Sequence, residues 1–199
     1  MSSVSLWPPY IWKFEYEFDR DLMTSALQEV SSHWSVTANS SVIEIGDSYS
    51  TARVGVYDVD LQPHRLKYLE PFNAWLEPVI NNIWSECKFS QMNSEVSKSW
   101  FNVHKKTGQT IEHVHNKTDL VVSAYVQCEE GSGNIEFRDP LEYHKINSPW
   151  HESQLWKELK VKTNDVLVFP GWLNHRTQPN MTDTERIVMT YNIDGNPFI

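Results

Sequence analysis

The sequence predicts a mainly β domain with covering helices, its C-terminal half an antiparallel sandwich or barrel. Beyond residue 97, at least five short runs are apolar or alternate with period two: Trp100–His104, Leu120–Val126, Gly133–Phe137, Val166–Phe169 and Arg186–Ile193. The breaks between them, KKTGQ, EEGSG, FRDPLEYHKINSP, KTND and NMTD, hold the residues that favour turns. Before residue 97, in contrast, the clearest apolar periodicity is helical.

Taken in order, Trp12, Phe14, Tyr16 and Phe18 alternate as in a strand with one apolar face. From Asp19 the spacing changes to Leu22, Met23, Ala26, Leu27 and Val30, a short amphipathic helix with acidic residues at its positive end. Residues 31–64 are rich in Ser, Thr and Asn and read as mostly irregular, with short extended pieces at Ser41–Ile45 and Arg53–Val59. Between 65 and 84, Leu66, Leu69, Phe72, Trp75, Leu76, Val79, Ile80, Ile83 and Trp84 recur at helical spacing, with Pro71 and Pro78 starting or kinking a helix whose apolar face covers a sheet. There is no internal repeat. We therefore read 1–199 as a single domain, with 1–96 an N-terminal strand and helical cover and 97–199 the β core.

Composition narrows the function. With 199 residues, 40% of them apolar, and 9 Trp, 8 Tyr and 8 Phe, the chain can fill one sizeable core, which excludes disorder. Seventeen basic residues against 26 acidic ones give a formal charge of −9, and the longest basic cluster is Lys105-Lys106, so no nucleic-acid partner is expected. No run approaches the roughly 20 apolar residues of a membrane span, and the N-terminus lacks a basic segment followed by an apolar one. A cytoplasmic location is expected. Cys87 and Cys128 are too few for a disulfide framework or a thiolate zinc cage, so metal chemistry must use histidines and carboxylates.

The sharpest local feature is Glu112-His113-Val114-His115, at the start of the run that ends near Gln127. On a strand, residues i and i+2 point to one face, so His113 and His115 can chelate one ion; the alternative is a pair of strand-edge histidines satisfied by water and backbone. A third ligand is offered by His175, in the segment FPGWLNHRTQPN, read as a loop fixed by Pro170, Gly171 and Pro179. Arg186 begins RIVMTYNI on the more polar face of its strand, and a guanidinium there suits a carboxylate; its bland alternative is a surface arginine paired with Asp183 or Glu185.

The order HVH, AYV, SGNIEFRDP, VLVFPGWLNHRTQPN, ERIVMTYNI resembles the Fe(II)- and 2-oxoglutarate-dependent oxygenase superfamily. It is most similar to a small branch often encoded by marine phages and bacteria, in which WxNV, HxH, SGxxxFxDP, an FPxWLxH-like segment and ERIxxxxN follow in that order. Trp100-Phe101-Asn102-Val103 is the first part, and the resemblance spans about 97–194. It implies a double-stranded β-helix, a jelly-roll or cupin-like barrel, with the metal at its open end. It further implies Fe(II), 2-oxoglutarate and O2 as the reaction partners, with hydroxylation of an unactivated C–H bond and release of succinate and CO2. His113 and His175 match the first and distal metal ligands and Arg186 the anchor of the far carboxylate of 2-oxoglutarate. Tyr125 matches a co-substrate hydrogen-bond donor, while Thr190 and Asn102 are further candidates for the same pocket. A phage-encoded enzyme of this kind would work in the host cytoplasm.

One position departs from the superfamily pattern. Where most members carry Asp or Glu two residues after the first histidine, this chain has His115, which leaves a ferrous site one unit more positive. Asp119 or Glu112 could supply a carboxylate instead, but His115 needs no bulge. Two other readings stand beside this one: a cupin-type three-histidine metal dioxygenase or isomerase, and a non-catalytic jelly-roll binding or structural module with tryptophans lining a groove. The substrate class read here is a small molecule or a peptide or protein side chain, gripped by the loops at 138–165 and 31–64. A homodimer through the N-terminal aromatic strand is open.

Overall fold

The computed structural model describes residues 11–32, 43–88, 92–145 and 155–197. Trp7, His33, Trp34, Trp150 and His151 lie outside them.

Strand β1 (Trp12–Glu15) carries the predicted alternation, and helix α1 (Arg20–Ser32) follows. Asp19 caps α1, its Oδ1 accepting from the N–H groups of Asp21 (3.0 Å) and Leu22 (3.1 Å), and Met23, Ala26 and Val30 form the buried stripe. Two short strands, β2 (Glu44–Ile45) and β3 (Ser48–Ser50), precede a departure from expectation: Arg53–Val59 is not extended but holds a helical turn, α2 (Val54–Tyr57). The β-branched composition suggested a strand, yet after Thr51, whose N–H donates to Phe101 O and whose hydroxyl accepts from Phe101 N–H, the chain leaves the sheet, and Val54 is buried instead by helical winding. Three 3₁₀ turns lead to α3 (Glu70–Glu86), which has Pro71 in its first turn and runs on past Pro78.

The remaining elements are β4 (Met92–His104), β5 (Gln109–Thr110), β6 (Leu120–Gln127), β7 (Ile135–Arg138), α4 (Glu142–Lys145), β8 (Trp156–Leu159), β9 (Asp165–Pro170), β10 (His175–Thr177) and β11 (Arg186–Pro197). The larger sheet has the order β1-β9-β6-β11-β4-β3, and a smaller one has the order β10-β7-β8. Every pairing is antiparallel. The five predicted strands are present. Three more in this half, β5, β8 and β10, were too short to show a period, and β10 falls inside the segment read as a loop.

The larger sheet is apolar on both faces, but differently. Phe101, Val122, Ala124, Met189, Tyr191 and Ile193 pack with α1 and α3 into one core, whereas Val121, Leu167, Phe169 and Val188 meet Ile135 and Phe137 of the smaller sheet in a second. Phe72 of α3 is 1% exposed and packs with Tyr16 (5.1 Å between ring centres), Phe18 (5.2 Å), Trp75 (5.7 Å) and Tyr191 (5.7 Å). The helix therefore covers the sheet as its spacing requires. Of the described tryptophans, Trp172 is the exposed one, so a tryptophan-lined groove gains no support from the rest.

Phe72→Ala should cost about 3–5 kcal/mol of stability, read as a lower urea midpoint, because it removes a side chain that joins four aromatic neighbours. A pH effect follows from His64, whose backbone N–H donates to Ser99 Oγ (3.0 Å) while that hydroxyl faces the ring Nδ1 at 2.7 Å. Burial holds its pKa down at about 4. In the unfolded chain the ring titrates near about 6.5, so the unfolded state gains a proton that the folded state refuses, and stability falls as pH drops from about 6.5 towards 4. The loss between pH 7 and pH 5 should shrink in His64→Gln, measured by urea unfolding at both values.

Candidate metal centre

The pocket is built by alternation on three neighbouring strands. β11 pairs with β4 so that Arg186 faces His104, Val188 faces Asn102 and Thr190 faces Trp100, and it pairs with β6 so that Thr190 faces Ser123. Residues at the even positions of β4 and β11 and at the odd positions of β6 turn towards the smaller sheet, and Trp100, Asn102, Ser123, Tyr125 and Thr190 line one pocket with His113, His115 and His175. The alternate positions fill the helix-side core.

His113 and His115 do not begin β6. They precede it in an extended segment, where His113 makes an isolated antiparallel bridge with His175 of β10: the two residues exchange backbone bonds of 3.0 and 3.1 Å. His115 is tied down by donating its N–H to Gly171 O (2.9 Å), and Gly171 has no room for a side chain there, since a Cβ would stand 2.2 Å from Thr118 O. The predicted same-face pair survives this correction because the segment is extended, though it is not a strand.

The three rings converge, and each is held in the same tautomer. His113 Nδ1 lies 2.9 Å from Ile111 O, His175 Nδ1 lies 2.8 Å from Leu173 O, and His115 Nδ1 lies 2.6 Å from Asn192 Oδ1. Each partner is an oxygen that accepts, so each Nδ1 carries the proton and each Nε2 keeps a lone pair. The Nε2 atoms of His113 and His115 are 3.2 Å apart, and ligand atoms of all three rings lie within 4.8 Å of one another. Burial, the leading cause in each case, lowers all three pKa values, that of His115 to about 4 and that of His175 well below its ordinary value. Neutral rings facing each other lone pair to lone pair repel unless a cation lies between them. Two nitrogens bound side by side to one ion at about 2.0–2.1 Å stand about 3 Å apart, so the donor set fits a divalent transition metal.

The carboxylate alternatives point elsewhere. Glu112 pairs with Arg138 at 2.7 Å, and Asp119 Oδ2 accepts from the N–H of Gly195 at 2.8 Å. Among the described residues, the group able to hold a metal is His113, His115 and His175. Trp100 stacks on the His115 ring (5.7 Å, 20°) and Phe169 meets His175 edge-on (4.8 Å), which fixes both planes.

Arg186 is not the surface arginine of the bland reading. It is 0% exposed, and Asp183 pairs with Lys106 instead. Nη1 donates to the carbonyls of Ser132 and Gln178 (3.0 Å for the latter), and Nη2 donates to Thr177 Oγ1 at 2.9 Å. This accounts for Gly133 of the SGNIEF motif: its φ of +88° suits glycine, and a Cβ would stand 2.6 Å from Arg186 Nη1. Tyr125 is 1% exposed, and burial pushes its phenol far up, so it stays a proton donor. Asn102 Oδ1 is buried without a partner in the same pocket, an acceptor left for something bound there.

Residues 98–192 match a family model described as "Putative 2OG-Fe(II) oxygenase". The matched segment, just under half of the chain, is similar to that family. The match embraces the three histidines, Tyr125 and Arg186 together, and the cupin reading leaves Arg186 without a part. Oxygenases of this family use Fe(II), 2-oxoglutarate and O2. Among solved structures, the chain is similar to a Pseudomonas putida prolyl-4-hydroxylase (TM-score 0.56, 10% identity, 92% of this chain and 91% of that one). It is also similar to the 2-oxoglutarate-dependent carbocyclase SnoK from nogalamycin biosynthesis (0.58, 9%, 94% and 81%) and to HygX from Streptomyces hygroscopicus with nickel and 2-oxoglutarate bound (0.53, 10%, 92% and 81%). These likenesses show the fold, a double-stranded β-helix made of the two sheets. A search of curated proteins finds no matching relative. No described helix is long and apolar enough to cross a membrane.

His104, Glu44, Thr110, Thr177 and Asn192 were not among the sequence candidates, yet His104, Thr110 and Thr177 line the pocket and Glu44 and Asn192 bond to residues that line it. His104 shares the alternation of Trp100 and Asn102, which could have marked it; Glu44 lies in a polar stretch without periodicity. Asn192→Ala should weaken metal binding about 10- to 100-fold by freeing the His115 ring and its tautomer, measured by anaerobic Fe(II) titration.

Proposed function

We propose that this oxygenase hydroxylates an unactivated C–H bond of a small molecule or of a peptide side chain, with His113, His115 and His175 as its metal ligands. The observation that carries the reading is the convergence of three Nε2 lone pairs with all three protons held on the outer nitrogens. Three neutral imidazoles leave a ferrous ion its full charge, which favours an anionic chelating co-substrate in the remaining positions. Bound Fe(II), with 2-oxoglutarate and O2, supplies the oxidising power for C–H hydroxylation and releases succinate and CO2.

The chain's own residues orient and shield that chemistry. Arg186 receives the far carboxylate of 2-oxoglutarate, and a permanently charged guanidinium in a buried pocket favours a dianion over a neutral ligand. The protonated Tyr125 donates a hydrogen bond into the pocket, Asn102 Oδ1 offers an acceptor, and Thr190 lines the wall with its hydroxyl. Phe169 and Trp100 keep water from the backs of two rings.

Exposed apolar side chains flank the histidine segments in sequence at Ile111 and Trp172, the latter 55% exposed and next to the glycine that holds His115, and Leu141 and Tyr143 flank Glu142. Arg138 ties this rim together by pairing with both Glu112 and Glu142. Such a rim suits an apolar or aromatic peptide segment better than a strongly charged small molecule. We further infer that residues 1–96 cover the β core as part of the same domain.

Anaerobic protein given Fe(II) and then 2-oxoglutarate should develop the weak visible charge-transfer band of a keto acid chelated to ferrous iron. The band should vanish in His175→Ala and require higher 2-oxoglutarate in Arg186→Ala; metal binding with no band in the parent chain would return the site to the cupin reading. Trp172→Ala should raise the KM for the primary substrate several-fold while leaving uncoupled conversion of 2-oxoglutarate to succinate unchanged. A fall in both activities would remove the rim from substrate binding.

A further inference from the structure

Arg186 is the largest fully buried side chain among the described residues, and its hydrogen bonds leave a specific remainder. A guanidinium has five N–H groups. Nε donates to His104 Nδ1 (3.4 Å), Nη1 gives both of its protons to the carbonyls of Ser132 and Gln178, and Nη2 gives one to Thr177 Oγ1 (2.9 Å). One N–H of Nη2 is left over. Thr177 Oγ1 also accepts from the backbone N–H of Thr110 (2.9 Å), so both of its lone pairs are used and its own proton must be donated. Among the described residues no acceptor takes that proton, and Thr177 lines the histidine pocket. Two unused donors thus sit side by side on atoms 2.9 Å apart, the spacing that suits the two oxygens of a carboxylate.

The other edge of the guanidinium is held from behind. His104 accepts through Nδ1, so its proton is on Nε2, which faces Glu44 Oε2 at 2.7 Å and Thr110 Oγ1 at 2.9 Å. The Thr110 hydroxyl donates to the same carboxylate (2.9 and 3.0 Å). Glu44 and His104 side chains are 3% and 1% exposed. Burial keeps the ring's pKa below its ordinary value, in keeping with a neutral imidazole. A buried anion and a buried cation are therefore joined through a neutral ring, and either charge alone would be costly there. Glu44 comes from β2, outside the segment that matches the family.

We propose that Glu44 and His104 are positioning residues that fix the Nε edge of Arg186, so that its spare Nη2–H and the Thr177 hydroxyl form a two-donor receptor for the distal carboxylate of 2-oxoglutarate. This rests on the reading of the pocket as a 2-oxoglutarate site and assigns its carboxylate end. The receptor reads the distal group alone, since the keto-acid end of the co-substrate is directed to the metal. Loosening the receptor must therefore lower selectivity between keto acids and leave metal binding in place.

The test uses the full chain loaded anaerobically with Fe(II) and titrated, by the charge-transfer band, with 2-oxoglutarate and with 2-oxopentanoate, which has the same keto-acid head and chain length but no distal carboxylate. The parent chain should prefer 2-oxoglutarate. His104→Leu and Glu44→Ala should each weaken 2-oxoglutarate about 10- to 100-fold while leaving 2-oxopentanoate and Fe(II) affinity unchanged. His104→Gln, which can still accept from Arg186 and donate to Glu44, should recover part of the loss. Thr177→Val should show the same selective loss and Thr177→Ser should not, which keeps the test decisive should a His104 variant not fold. An equal fall for both keto acids, or no change for either, overturns the proposal with the 2-oxoglutarate site intact. A parent chain that binds Fe(II) but gives no band with either acid overturns the site reading and this proposal with it.

Discussion

The antiparallel pairing of β4 with β11 is the constraint on which the rest depends. It puts Phe101, Met189 and Tyr191 on one face and Asn102, His104, Arg186 and Thr190 on the other. A shift of one residue would exchange the two sets, driving a guanidinium under the helices and apolar side chains into the pocket. The oily face therefore guards the polar one. Burial of Phe72 against Tyr191 fixes the register that delivers Arg186, so the helical cover contributes to the site without lining it.

Around that register the pocket is a set of directed protons. Three carbonyl-type oxygens take the outer protons of the histidines, two backbone carbonyls and a hydroxyl take protons of Arg186, and Glu44 faces the proton of His104. Each bond decides which atom further in is left as a donor or an acceptor. The lone pairs gather at one end of the pocket and the spare donors at the other, a polarity that suits a ligand with a metal-binding head and an anionic tail. His115 stands where most of the similar superfamily has a carboxylate, which sharpens this contrast, since the three converging rings carry no negative charge.

Much of this was legible because period two survives wherever a sheet buries its faces unequally. Trp100 to His104 and Arg186 to Ile193 declared both their strands and their polar sides, and the histidines stood out by spacing. What stayed hidden was short or distant. β8 and β10 have four and three residues, too few to show a period. The turn at Val54–Tyr57 followed tertiary burial against its own β-branched composition. Glu44 meets His104 across 60 residues, and nothing local in a stretch of Ser, Thr and Asn singles out a carboxylate that will be buried. Arg186 was placed on the correct face, but that it would be enclosed could be known only once Ser132, Gly133 and Gln178 were seen around it.

The position of β11 has a consequence for timing. It is the last strand in the chain, yet it lies inside the larger sheet, between β6 and β4. In the strand order it is the one link between β1-β9-β6 on one side and β4-β3 on the other, and contacts this distant in sequence close slowly relative to local structure. Asn192 and Arg186 arrive on the same strand. The ring of His115 gains its orienting partner, and the pocket its cation, in the one event that closes the sheet. The oriented set of three rings and the buried guanidinium are thus properties of the closed sheet rather than of its separate parts.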